Sequence, residues 1–120
     1  MICDGEVLGK PVDEADAIRM LKMLSGKTHH VVTGVTLGRG CRYSSFSVDT
    51  AVTFRELSDE EIKAYVKSGE PMDKAGAYGI QGLGALLVEK IDGDFYNVVG
   101  LPVSRLAEEL HEFLKKVQSK

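Results

Sequence analysis

His30-Val31-Val32-Thr33-Gly34-Val35-Thr36-Leu37 and, further on, Ser47-Val48-Asp49-Thr50-Ala51-Val52-Thr53-Phe54 are the stretches on which the fold turns. The first is apolar and β-branched. The second alternates, with Val48, Thr50, Val52 and Phe54 on one face, the period of a half-buried strand. Gly38 to Gly40 and their polar neighbours supply the connection, so the spacing predicts two antiparallel strands.

Working outward toward the N-terminus, Asp13 is a good N-cap for a helix in which Ala17, Ile18, Leu21 and Leu24 recur at helical spacing. Ser25-Gly26 ends it. Met1 to Leu8 predicts a short strand and a turn at Asp4-Gly5, and Gly9-Lys10-Pro11 breaks regular structure, which puts Lys10 on a loop. On the other side, Ser58-Asp59-Glu60-Glu61 is a capping box opening a helix to about Lys67, stopped by Gly69-Glu70-Pro71. The density of Gly76, Gly79, Gly82 and Gly84 predicts a loop. Ala85 to Ile91 and Phe95 to Val99 flank Asp92-Gly93-Asp94, a strong local signal for an antiparallel hairpin. From Pro102 onward Val103, Leu106, Leu110, Phe113, Leu114 and Val117 predict a packed closing helix with a frayed, Lys-rich end.

The chain has 120 residues, 43% hydrophobic and 28% charged, which fits one globular domain with a core large enough to need neither disulfide nor structural metal. A net charge of −3 gives no basic field for nucleic-acid phosphates, so nucleic acid is not an expected partner. Cys3 and Cys41 form no CxxC pair and read as free thiols. No stretch approaches the roughly 20 apolar residues that span a bilayer, and no basic segment followed by an apolar run opens the chain, so a cytoplasmic protein without membrane partners is expected.

Asp73-Lys74-Ala75-Gly76-Ala77-Tyr78-Gly79-Ile80-Gln81-Gly82 is the stretch richest in chemistry. Glycines at this spacing let backbone N–H groups approach a phosphate or a flat base, and Asp73, Lys74, Tyr78 and Gln81 add charge, stacking and amide hydrogen bonding. By residue type alone the stretch reads first as a glycine-rich turn ahead of a hairpin, because it matches neither the P-loop nor the dinucleotide fingerprint. His29 and His30, adjacent on a strand, point to opposite faces and cannot share an ion, and His111 stands apart on the last helix. The Asp92/Asp94 pair reads as turn chemistry.

Gly5-Glu6-Val7-Leu8-Gly9-Lys10-Pro11, Leu24-Ser25-Gly26-Lys27-Thr28-His29, Val32-Thr33-Gly34-Val35, Gly69-Glu70-Pro71, Asp73 to Gly82 and Val99-Gly100-Leu101-Pro102 resemble, in order, the signatures of the Maf family of nucleoside triphosphate pyrophosphatases. The resemblance runs along essentially the whole chain. It implies an α/β fold, a mixed sheet with flanking helices of the Maf/ITPase-like kind, represented by its C-terminal portion. It also implies hydrolysis of a nucleoside triphosphate between the α- and β-phosphates with a divalent cation, Mg or Mn. Asp-Lys-Ala-Gly-Ala-Tyr-Gly-Ile-Gln-Gly is similar to the branch acting on dTTP and UTP. Carried over by position, the family's phosphate lysine falls on Lys10 and its loop glutamine, suited to a pyrimidine edge, on Gln81. Asp73, Lys74 and Tyr78 match the same motif as further substrate contacts, and the resemblance assigns no metal ligand in this chain.

Family members also open with a segment resembling Ser-x-Ser-Pro-Arg-Arg, and their proposed general base is the Asp of an Ala-Asp-Thr motif. Neither occurs in the 120 residues, and the base would fall upstream of Met1. The expectation is therefore one Maf-like domain over 1–120 lacking its N-terminal segment, with no catalytic residue of its own. Such a chain would be inactive or nearly so, with apolar sheet surface exposed and a tendency to associate, for example as a homodimer. The alternatives are a non-catalytic nucleotide-binding or regulatory paralogue and one half of a split enzyme.

Overall fold

The computed structural model describes residues 1–118. In chain order the elements are β1 (Ile2–Cys3), β2 (Glu6–Val7), α1 (Glu14–Leu24), β3 (Thr28–Arg39), β4 (Arg42–Phe54), α2 (Asp59–Lys67), β5 (Val88–Asp92), α3 (Phe95–Val99) and α4 (Val103–Gln118). Three 3-10 segments, Glu70–Asp73, Ala75–Ala77 and Gly82–Leu87, join α2 to β5. The strands form one sheet in the order β2-β1-β3-β4-β5. Every pairing between these strands is antiparallel, so the sheet flanked by helices is of one sense rather than mixed.

β3 and β4 are the two stretches on which the reading began, and they are longer than expected. Their pairing runs from Thr28↔Thr53 to Arg39↔Arg42. The turn is therefore only Gly40-Cys41, with Gly40 at φ 62°, a left-handed conformation that glycine adopts freely. Gly38, expected in the connection, is paired with Tyr43 instead, and the Tyr43 ring lies over it: a Cβ there would sit 3.0 Å from ring carbons. β1 and β2 form the tight hairpin announced by Asp4-Gly5, whose φ values of 50° and 77° are those of a type I′ turn.

Both long N-terminal caps form. The Asp13 side chain accepts from the Asp16 N–H at 2.8 Å, and Ser58 and Glu61 complete the reciprocal box. α1 and α2 then bury Ala17, Met20, Leu21, Leu24, Ile62, Tyr65 and Val66 in one cluster with Val52 and Phe54 of β4 and Ala77, Tyr78 and Ile80 of the loop. At roughly 1.5–3 kcal/mol for each large side chain removed from water, this cluster is the main favourable term in folding.

Two sequence expectations fail here. Phe95–Val99 is a helix, α3, not the second strand of a hairpin, and Ala85 to Leu87 belong to a 3-10 segment, with the strand starting at Val88. The local Asp-Gly signal is overridden by long-range polar anchoring. Thr50 Oγ1 accepts from the Asp94 N–H at 3.1 Å, and the Asp94 carboxylate caps α3 by accepting from the Asn97 N–H at 3.2 Å. Fully buried Asn97 donates through Nδ2 to the Val31 and Val48 carbonyls at 3.0 and 3.1 Å, which pins α3 onto the sheet. Gly93, at φ 131°, lets the backbone cross over Thr50, where a Cβ would meet the side chain at 3.0 Å.

The closing helix forms as predicted but is not packed along its whole stripe. Phe113 is buried, whereas Val103, Leu110 and Leu114 are 46%, 41% and 38% exposed. α4 is tied to the hairpin by an Arg42 Nη1 bond to the Lys116 carbonyl at 2.9 Å and by Arg105 stacked on Phe46 at 5.1 Å. The described residues measure 60 × 26 × 26 Å, and none of their helices is long and apolar enough to cross a membrane. The Ser119-Lys120 end expected to fray lies outside them.

Candidate functional site

A cleft of about 500 Å³ opens between residues 70–82 and an apolar wall of Val31 from β3 and Val98 and Val99 from α3. Four of the five residues singled out from sequence line it: Asp73, Lys74, Tyr78 and Gln81. Asp73, Lys74 and Gln81 are exposed, with Lys74 Nζ 3.7 Å from Asp73 Oδ1. The wall offers a dry surface for a planar ring, and the opposite rim offers a cation, a carboxylate and an amide.

Tyr78 sits differently from the free stacking platform its motif suggested. Its ring is edge-on to Phe54 at 4.7 Å and to His29 at 5.3 Å, and its hydroxyl bonds His29 Nε2 at 2.7 Å. The ring is 4% exposed, so Tyr78 helps to build the wall while belonging to the core, and burial pushes its hydroxyl pKa up. His29 is likewise fully buried, and that burial brings its imidazole down to about 4, neutral at physiological pH. Its Nδ1 has no hydrogen-bond partner among the described residues. His30 faces the other way, bonded to Asp49 at 2.8 Å, and His111 is exposed on α4. The histidines thus do not converge, as the strand geometry required.

Lys10 is exposed and does not line the cleft, but its loop is bonded to it. The Gly76 N–H donates to the Gly9 carbonyl at 3.0 Å. Gly76, at φ 75°, takes the left-handed conformation that favours glycine, and the Met1 side chain packs over it. Lys10 is therefore one residue from a fixed point of the glycine loop.

Sequence reasoning missed Glu70 and Tyr65. Glu70, read only within the Gly69-Glu70-Pro71 helix stop and signature block and given no role of its own, places its carboxylate under the loop: Oε1 accepts from the Tyr65 hydroxyl at 2.9 Å and the Gly84 N–H at 3.0 Å, and Oε2 from the Leu83 N–H at 3.2 Å. Tyr65 in turn accepts from the Gly79 N–H at 3.1 Å. Burial opposes the Glu70 charge, yet the donations from Gly84, Tyr65 and Leu83 outweigh it and hold the carboxyl below its ordinary range. The signal available in sequence was an acidic residue beside a glycine-rich loop whose N–H groups had no evident acceptor.

Among the described residues no three His, Cys, Asp or Glu side chains gather as a metal site. Glu70 is occupied by its hydrogen bonds, Asp73 lies beside Lys74, and Asp94 caps α3. These residues do not by themselves fit a resident divalent cation.

The sequence profile described as Maf-like protein matches residues 1–113. The chain belongs to the Maf-like family. It is 56% identical over 114 residues to the dTTP/UTP pyrophosphatase of Bacillus velezensis (strain DSM 23117 / BGSC 10A6 / LMG 26770 / FZB42), an alignment covering 94% of this chain and 60% of that protein. The dTTP/UTP pyrophosphatase of Bacillus cereus (strain AH820) is 56% identical over 110 residues, covering 92% of this chain and 58% of the relative. That of Bacillus pumilus (strain SAFR-032) is 54% identical over 110 residues, with the same coverage of 92% and 58%. This Maf-like chain spans about three-fifths of the length of the curated relatives it matches.

Proposed function

We propose that this cleft binds the pyrimidine nucleoside triphosphates dTTP and UTP, and that the protein serves their hydrolysis to the monophosphate and pyrophosphate. The observation that carries the reading is the placement of Gln81 on the cleft rim, opposite the apolar wall of Val31, Val98 and Val99 and beside Lys74. The names of the Bacillus relatives support the same substrates. In this reading the base lies against the valine wall while the Gln81 amide, donor and acceptor at once, meets the alternating groups of the uracil or thymine edge. Lys74, and Lys10 from its tethered loop, hold triphosphate oxygens as point charges. A Mg or Mn ion would arrive with the triphosphate, bound mainly by phosphate oxygens and water.

Titration of the chain with UTP, dTTP, CTP and purine triphosphates, followed by calorimetry, tests the reading. UTP and dTTP should bind ahead of the others. Gln81→Ala should remove about 1–3 kcal/mol of that preference, the scale of a lost buried polar partner, whereas Lys10→Ala should weaken all triphosphates alike. A Gln81→Ala variant that weakens every nucleotide by one common factor would assign Gln81 to the phosphates or the loop and overturn its role in base choice.

A further inference from the structure

The loop that carries Gln81 is closed into a hoop, and one carboxylate closes it. Residues 79 to 84 leave and return to the same point: the Gly79 N–H is held by the Tyr65 hydroxyl, which is held by Glu70, while Glu70 itself holds the Leu83 and Gly84 N–H groups. The two ends touch so closely that a Cβ on Gly84 would lie 1.9 Å from the Gly79 carbonyl oxygen. Between these ends stand Ile80, buried into the core, and Gln81, exposed at the cleft. We infer that Glu70, acting with Tyr65, is the positioning residue that fixes Gln81 for base selection.

This inference rests on the reading of the cleft as a pyrimidine site. Its chemical reason is specific. A glutamine amide reads a base edge only where its backbone sets the distance and angle of approach, so a loop free to shift would let it meet a cytosine edge as readily as a uracil edge. Selection between the two bases needs the amide's approach held to a fraction of an ångström, which is what bonded loop ends supply. Ile80 anchors one side of the tip in the core, and the Glu70 carboxylate, acceptor-only when ionised, anchors the other through two loop donors, the Leu83 and Gly84 N–H groups, while also accepting from the Tyr65 hydroxyl.

The test pairs amide hydrogen exchange with nucleotide titration on the same variants. Glu70→Gln keeps one carbonyl oxygen but turns an NH₂ toward a backbone donor, so exchange at Leu83 should speed up by about tenfold or more. Tyr65→Phe should instead free the Gly79 amide. In both, the Phe54 amide, bonded to the Lys27 carbonyl in the core, should exchange as in the parent, which separates a loosened loop from a failure to fold. The ratio of UTP to CTP affinity should fall severalfold in Glu70→Gln and less in Tyr65→Phe. Unchanged exchange at Leu83 and Gly79 would overturn the clamp. Equal weakening of UTP and CTP, with the loop loosened, would overturn its role in selection. Failure of the parent chain to bind any nucleotide would fall on the reading of the cleft, while the exchange pattern would still decide whether Glu70 closes the hoop.

Discussion

The β3–β4 ribbon has two ends that obey the same alternation and meet different fates. At the end near α1 and α2, Thr50, Val52 and Phe54 are at most 1% exposed, and the cleft lies beside them. At the far end Arg42, Ser44 and Phe46 reach only partial burial, and on α4, laid there, Val103, Leu110 and Leu114 stay 46%, 41% and 38% exposed while Phe113 is buried. The difference lies in what covers each end. Pattern and capping are enough to make a strand or a helix, but burial needs a further layer on the face, and only the near end has α1, α2 and the 70–87 segment to supply it. The cleft is accordingly found at the end with the layers.

Truncating one aromatic at each end is the strongest test of that division. Phe54→Ala should cost about 3–5 kcal/mol in urea unfolding, the range for a fully buried phenylalanine, and Phe46→Ala clearly less, since Phe46 is only partly buried, in contact with Arg105. Comparable losses at the two positions would erase the distinction.

The second test uses pH and reaches only the near end. Burial lowers the His29 pKa from 6.5 to about 4, so on acidification the unfolded chain binds this proton before the folded one does. Stability linked to His29 is therefore fully present above pH 6.5 and falls as pH drops toward 4. The slope should be at most about 1.4 kcal/mol per pH unit for a single group. Denaturant titrations at pH 7 and pH 5 should show that slope in the parent and a shallower one in His29→Gln. Equal slopes would mean that His29 is hydrated or protonated in the fold.

The smallest effect is expected on α4. Leu110, 41% exposed, should tolerate Leu110→Ser within about 0.5 kcal/mol, as a surface position does. A loss of 2 kcal/mol or more, roughly the scale of a core leucine, would show that in solution this stripe is covered.

What was legible in the sequence followed from rules with short reach. The Asp4-Gly5 turn, the Asp13 cap, the Ser58–Glu61 box and the alternation of Val48 to Phe54 each involve neighbours a few residues apart, and all appear in the fold. The misreading of Phe95–Val99 has the opposite cause. Asp92-Gly93-Asp94 carries a hairpin signal and a cap signal at once, and Thr50 and Asn97 settle the choice through contacts more than 40 residues away along the chain. The site divides in the same way. The motif resemblance singled out Asp73, Lys74 and Gln81 as substrate contacts, and all three line the cleft. Nothing local marks Tyr78 as a core residue, because its partners His29 and Phe54 are distant strand positions. Glu70 was hidden for the related reason that its work is done on backbone groups, which leave no trace in side-chain chemistry.

The contact between Gly79 and Gly84 has a consequence for how this site can diverge. A ring closed by backbone against backbone has a set circumference, and adding or deleting a residue within it would pull Leu83 and Gly84 off the Glu70 carboxylate. Loop length, the usual material for altering a binding surface, is closed to variation here. In the reading proposed above, a change of base preference would then fall to the side chain at the apex, Gln81.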